Sequence, residues 1–154
     1  MPRPAPFQVV REHWPEYLME AAGLGLFMVS AAVVTTLLEY PHSPLHDLFT
    51  DRTTRRLLIG LAMGLTAIGL IYSPWGKRSG AHFNPAVTMT FFRLGRVAGV
   101  DAACSLLAQV IGGLIGLLAA ASAIGMAIEH PAVNYVATVP GAGGPSVAFV
   151  AELL

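Results

Sequence analysis

The residues with chemistry to offer crowd into one stretch, Ser79-Gly80-Ala81-His82-Phe83-Asn84-Pro85-Ala86. A serine close to a histidine invites a hydrolytic reading, but nucleophilic catalysis needs a base that a third group orients, and nothing here resembles such a triad. His82 has no second histidine or carboxylate at ligand spacing, so it reads as a packed loop histidine that orients the connector, not as a metal ligand or proton carrier. Cys104 is the single cysteine, which excludes an intramolecular disulfide and a thiolate metal cluster; it reads as a buried, inert thiol. These residues point to no enzyme, metal or cofactor. The chemistry left is that of dipoles and hydrogen bonds. Asn84 suits a helix N-cap, because its side-chain oxygen can accept from the orphan amides of the first turn. Pro85 suits the first helical position, where no amide hydrogen is needed. Arg93 and Arg96 close the segment, where cations complement the helix dipole.

The elements that must position these groups follow from composition. Of 154 residues, 55% are apolar and only 12% charged, whereas soluble domains run nearer ~45–50% and ~25%. Nine Lys and Arg balance nine Asp and Glu, so there is no basic surplus for nucleic acid, and the apolar content excludes a disordered chain. A spanning helix takes about 20 apolar residues, so the expectation is a short membrane protein. Residues 1–16 hold four prolines and read as an extended cytoplasmic tail, with Trp14 and Tyr17 marking an interface. Apolar spans are expected over about 17–38, 57–72 and 97–128, joined by a polar connector from Glu39 to Arg56 and the basic stretch Trp75 to Ala81. Residues 129–145 read as an extracytoplasmic loop with a flexible Gly- and Pro-rich end, and 146–154 as the start of a fourth span. With the N-terminus inside, that side carries Arg3, Arg11, Lys77, Arg78, Arg93 and Arg96, six in all, against three across the membrane, Arg52, Arg55 and Arg56.

Pro85 to Arg93 is nine residues, about 13 Å as a helix and roughly half the hydrocarbon core. Spans on either side have their near ends on one face of the membrane, so residues 79–93 must dip in and return as a re-entrant loop and half-helix. The positive helix end then lies near mid-membrane, preceded by a backbone that is extended just before the cap. Irregular backbone at that depth is tolerated only inside protein or along a watery cavity, and small Gly80 and Ala81 would let the carbonyls of residues 80–83 line one. A positive dipole end beside amide donors repels cations while neutral molecules pass, a mechanism known from membrane channels. The competing reading is a plain Asn-Pro turn followed by a buried loop. Glu20, three residues into its span, is either a functional intramembrane carboxylate or a side chain that snorkels to the interface. Gly112, Gly113 and Gly116 provide a small-residue seam for close helix packing.

The stretch from Ser79 to Thr88 resembles the first signature loop of the aquaporin, or major intrinsic protein, family almost residue for residue. Glu20-Ala21-Ala22-Gly23 is similar to the Glu-x-x-Gly of that family's first helix, and Gln109-Val110-Ile111-Gly112-Gly113 to the glutamine and glycine pair of its third. The resemblance implies an all-α membrane protein: the first repeat of an inverted-repeat bundle, with three transmembrane helices, a re-entrant half-helix and the start of a fourth span. It implies a passive channel in the cell membrane for water or small uncharged solutes, usually a homotetramer. By the same resemblance, Asn84 donates its amide hydrogens to the solute, with Pro85, Ala86, Gly80, Ala81, His82 and Phe83 around it. Glu20, Gln109 and Glu152 support the pore loops, Glu152 holding in the unfinished last run the place that Glu20 holds in the first. Met63 falls at the second-helix filter position, where water-selective members usually place an aromatic ring; a flexible thioether narrows a pore less definitely. The family's second Asn-Pro-Ala and the arginine after it are absent, so the chain is expected to be a truncated half. The alternatives are a non-conducting half that acts only by packing with partners, and a glycerol-facilitator-type channel if a second half exists.

Overall fold

A computed structural model describes residues 5–153, apart from the side chain of Glu152; Arg3 and that glutamate side chain lie outside the described residues. Within them the chain is all-helical, with no strand. The helices are α1 (Pro6–Glu39), α2 (Pro44–Leu48), α3 (Arg52–Tyr72), α4 (Pro74–Ser79), α5 (Pro85–Arg93), α6 (Gly99–Ile124) and α7 (Gly144–Leu153). Three of them, α1, α3 and α6 with its trailing 3-10 turn, are long and apolar enough to cross a membrane.

The first helix corrects the expectation of an extended tail. Pro6 occupies the first helical position, where its fixed φ fits, and the Gln8 side-chain oxygen accepts from the Ala5 amide at 3.3 Å. Pro15 lies inside the helix and withholds one amide from the ladder, at a turn that contacts with other elements hold in place. Glu16 there pairs with Arg78 of α4 at 2.9 Å. Tyr17 donates to Asp101 of α6 at 2.6 Å, and His13 meets the same carboxylate oxygen at 2.8 Å.

Helix α3 starts one turn before the apolar run because Asp51 caps it, accepting from the Thr54 amide and hydroxyl at 2.7 and 2.8 Å. Those donors hold the Asp51 carboxyl below the usual carboxylate range. Arg55, charged yet buried, turns back to donate to the Phe49 and Thr50 carbonyls at 3.0 Å and to Glu39 at 3.2 Å, pinning the connector between α1 and α3. Helix α3 ends at Tyr72, and the basic stretch after it is helical in turn: Ser73 caps it and Pro74 begins α4.

The bundle is organised around the crossing of α1 and α6. A Cβ at Gly112 would overlap the backbone of Ala21, and one at Gly116 the backbone of Gly25. The seam therefore brings the two backbones together as no larger residue allows. Helix α6 ends at Ile124, short of Ile128, because Gly125 takes φ 71°. A 3-10 turn over Gly125–Ile128 then folds Ile128, with Val133, onto Ala32 and Ala120. Cys104 is half-buried, not sealed. On α3 only Arg55 is buried, while Leu57 and Leu61 are 70% and 62% exposed. So apolar an outer face belongs against lipid or another helix.

Candidate functional site

Glu20 is the organising residue. It is 1% exposed and takes donors on both oxygens. Oε1 accepts from the Ser79 hydroxyl at 2.6 Å and the His82 amide at 3.2 Å. Oε2 accepts from the Phe83 amide at 2.6 Å and the Gln109 side-chain amide at 2.8 Å. A carboxylate so enclosed does not snorkel, and that reading falls.

The loop bends to meet it. Gly80, the C-cap of α4, has φ 96°, and Ala81 and Phe83 also sit at positive φ, 54° and 43°. Phe83 is therefore left-handed where an extended residue was expected. Left-handed conformations cost a non-glycine residue about 1–3 kcal/mol. Here they point the amides of His82 and Phe83 together at one anion, which offsets that cost. Gly23 makes room for the Phe83 ring, which a Cβ at that position would overlap.

Asn84 resumes extended backbone and caps α5, its Oδ1 accepting from the Ala86 amide at 2.8 Å. With the oxygen engaged, the amide nitrogen of this exposed side chain has no partner among the described residues. One turn later Thr88, fully buried, accepts from Gln109 Nε2 at 2.8 Å and lies 3.1 Å from His82 Nδ1. The His82 ring stacks on Phe91, centroids 5.0 Å apart.

A cavity of about 250 Å³ lies between this loop and α3. Ala81, His82, Phe83 and Asn84 border it, against Leu24 and Phe27 of α1, Ala67 and Ile71 of α3, and Val87 of α5. Its wall is thus apolar with a few convergent polar groups, the usual make-up of a small-molecule site. Met63 is half-buried and one helical turn before Ala67 on the same side of α3, not on the cavity wall. Gly80, Pro85 and Ala86 do not border the cavity either. His82 also borders a second, more polar cavity of about 290 Å³ with His13, Tyr17 and Asp101.

Two members of the site escape sequence reasoning, Ser79 and Thr88. Ser79 invites only the hydrolytic reading, whereas Thr88, four residues beyond Asn84, lies on the same side of the half-helix one turn on.

The family model described as Major intrinsic protein matches residues 8–154. Among curated relatives, Aquaporin Z of Photorhabdus laumondii is 39% identical over 83 residues, 54% of this chain and 33% of that protein. Glycerol uptake facilitator protein-like 6 of Lactiplantibacillus plantarum is 41% identical over 66 residues, 43% of this chain and 30% of the relative. Probable aquaporin AqpM of Archaeoglobus fulgidus is 39% identical over 69 residues, 45% and 28% respectively. The matched regions thus span about a third or less of the length of these relatives. No solved structure matches the chain.

Proposed function

From the premise that this chain belongs to the major intrinsic protein family and is a multi-pass membrane protein, we propose that it builds pore wall for the passive passage of water or small uncharged solutes. The observation that carries the reading is the Asn84 side chain. Its oxygen is committed to the Ala86 amide, so its nitrogen is left as a donor where the loop meets an apolar cavity. A neutral solute leaving water there exchanges some hydrogen bonds for that donor and for the carbonyls of residues 80–83. An ion would lose far more solvation than such a wall returns. The positive end of α5, capped by Asn84, disfavours cations further; this is the mechanism established for channels of this family.

The finer assignments belong to the same proposal. Ala81, His82, Phe83 and Asn84 line the solute path, Gly80, Pro85 and Ala86 shape the loop and helix start that present them, and Met63 contributes to its width one turn along α3. Glu20 and Gln109 hold the loop. The N-terminus is cytoplasmic, the membrane is the cell membrane, and the assembly is a homotetramer. The relatives' names divide between aquaporin and glycerol uptake facilitator, so both solutes are tested.

The test uses vesicles carrying the protein expressed from the complete reading frame that contains these residues. Under an osmotic step they shrink faster than empty vesicles, and Asn84→Asp removes most of the difference, because the cap survives while the donor is lost and a negative charge is added. A glycerol gradient on the same vesicles separates the two solute classes. Shrinkage indistinguishable from empty vesicles overturns the channel and leaves a membrane protein that acts by packing against partners.

A further inference from the structure

The hydrogen bonds radiating from Glu20 have a direction that can be followed outward. Glu20 Oε2 is an acceptor, so the Gln109 atom facing it at 2.8 Å is the donating Nε2. The second hydrogen of that nitrogen goes to Thr88 Oγ1, also at 2.8 Å. Thr88 Oγ1 is then an acceptor toward Gln109, and its single hydrogen remains to be placed. Two acceptors are in reach: His82 Nδ1 at 3.1 Å and the Asn84 carbonyl at 3.3 Å. The Asn84 carbonyl already takes the Thr88 backbone amide at 3.1 Å. The nearer and unserved acceptor is the imidazole nitrogen.

We propose that Thr88, oriented through Gln109 by Glu20, holds His82 in the tautomer with a bare Nδ1 and a protonated Nε2, so that His82 offers a second donor beside Asn84. Thr88 is a positioning residue in this scheme: it acts on the solute only through the ring it orients. The ring plane is fixed independently by stacking on Phe91 at 10°. Nε2 faces the bare side of Gly80, where a Cβ would stand 3.8 Å away, and it has no protein partner among the described residues. His82 borders both the polar and the apolar cavity. The role toward a passing solute rests on the channel reading; the tautomer does not.

The tautomer is read directly by nuclear magnetic resonance of protein isotope-labelled at the imidazole nitrogens, in lipid bilayers at a pH of about 8, above the ordinary histidine range. The His82 signals are identified by their loss in His82→Gln. The expected spectrum has a pyridine-type Nδ1 and a pyrrole-type Nε2. Thr88→Ser retains it, and Thr88→Val, which keeps the shape and removes the hydroxyl, shifts population to the Nδ1-protonated form. A pyrrole-type Nδ1 in the unaltered protein, or a Thr88→Val spectrum unchanged from it, overturns the proposal. Bilayers that give the expected spectrum while the vesicles show no flux keep the tautomer and overturn the channel. Flux with a protonated Nδ1 does the reverse.

Discussion

Glu20 Oε2 and Gln109 Nε2 meet at 2.8 Å across 89 residues of sequence, and both side chains are sealed, at 1% and 0% exposure. This bond joins α1 to α6 at the level where the loop between α4 and α5 turns. Buried polar groups of this kind are costly unless fully satisfied. Glu20 meets the condition with four donors, and the conformation of residues 79–83 is the shape that delivers them.

Glu20→Gln therefore destabilises the protein far beyond what its near-identical volume implies. The amide presents one acceptor and one donating nitrogen to a site with four donors, so at least one donor loses its partner. The expected cost is about 2–4 kcal/mol, measured by thermal unfolding in detergent, with faster hydrogen exchange at the His82 and Phe83 amides. An unchanged melting temperature would show that the carboxylate does not hold the loop.

The helix crossing predicts a contrast among glycines. Gly112→Ala and Gly116→Ala each drive a Cβ into facing backbone that has no side chain to move aside, costing about 1–3 kcal/mol. Gly64→Ala on α3 meets nothing within 4 Å and gains helix propensity of about 0.5–1 kcal/mol. Unfolding midpoints in the same detergent check the order. Equal effects at Gly64 and Gly112 would remove the seam as the reason for these glycines.

Local signals explain what the sequence makes legible. Asn84, Pro85 and Arg93 bracket α5 because a cap, an N1 proline and a terminal cation each act within one turn. The three spanning helices follow from runs of apolar residues, and the all-α class from the family resemblance. Prolines mislead at the N-terminus, because Pro6 at N1 and Pro15 with tertiary support are both compatible with helix. Ser73-Pro74 reads as a stop and does end α3, but the same pair also caps and begins α4. The left-handed Phe83 has no local signal at all, since the carboxylate that stabilises it is 63 positions away. The side of α5 that Thr88 occupies is legible from its spacing to Asn84, but its partners are not, because His82 and Gln109 come from the loop and from α6.

Acid should loosen the start of α3. The Asp51 carboxyl is held below its ordinary value by the Thr54 amide, then by the Thr54 hydroxyl. A lowered value in the folded state means the cap contributes above the unfolded value, about 3.9, and is lost as pH falls through the folded one. The Thr54 amide resonance, followed by nuclear magnetic resonance, moves in that range, and hydrogen exchange there accelerates. Asp51→Asn keeps an acceptor and abolishes the pH dependence. A Thr54 amide insensitive to acid in the unaltered protein would separate the cap from the titration.

Gly23→Ala tests whether α1 shapes the loop through packing as well as through charge. Its Cβ would overlap the Phe83 ring, and that residue cannot back away freely because its amide is tied to Glu20 at 2.6 Å. The strain passes along the chain to Asn84, the next residue. Gly23→Ala alone should cost about 1–3 kcal/mol and lower vesicle permeability. Phe83→Leu alone should cost less, and the double variant should recover part of the loss, with a coupling of about 0.5–3 kcal/mol. The double-mutant cycle is run on unfolding and on permeability in parallel. Additive effects in both would mean that Gly23 and Phe83 act independently, and that the carboxylate alone sets the position of Asn84.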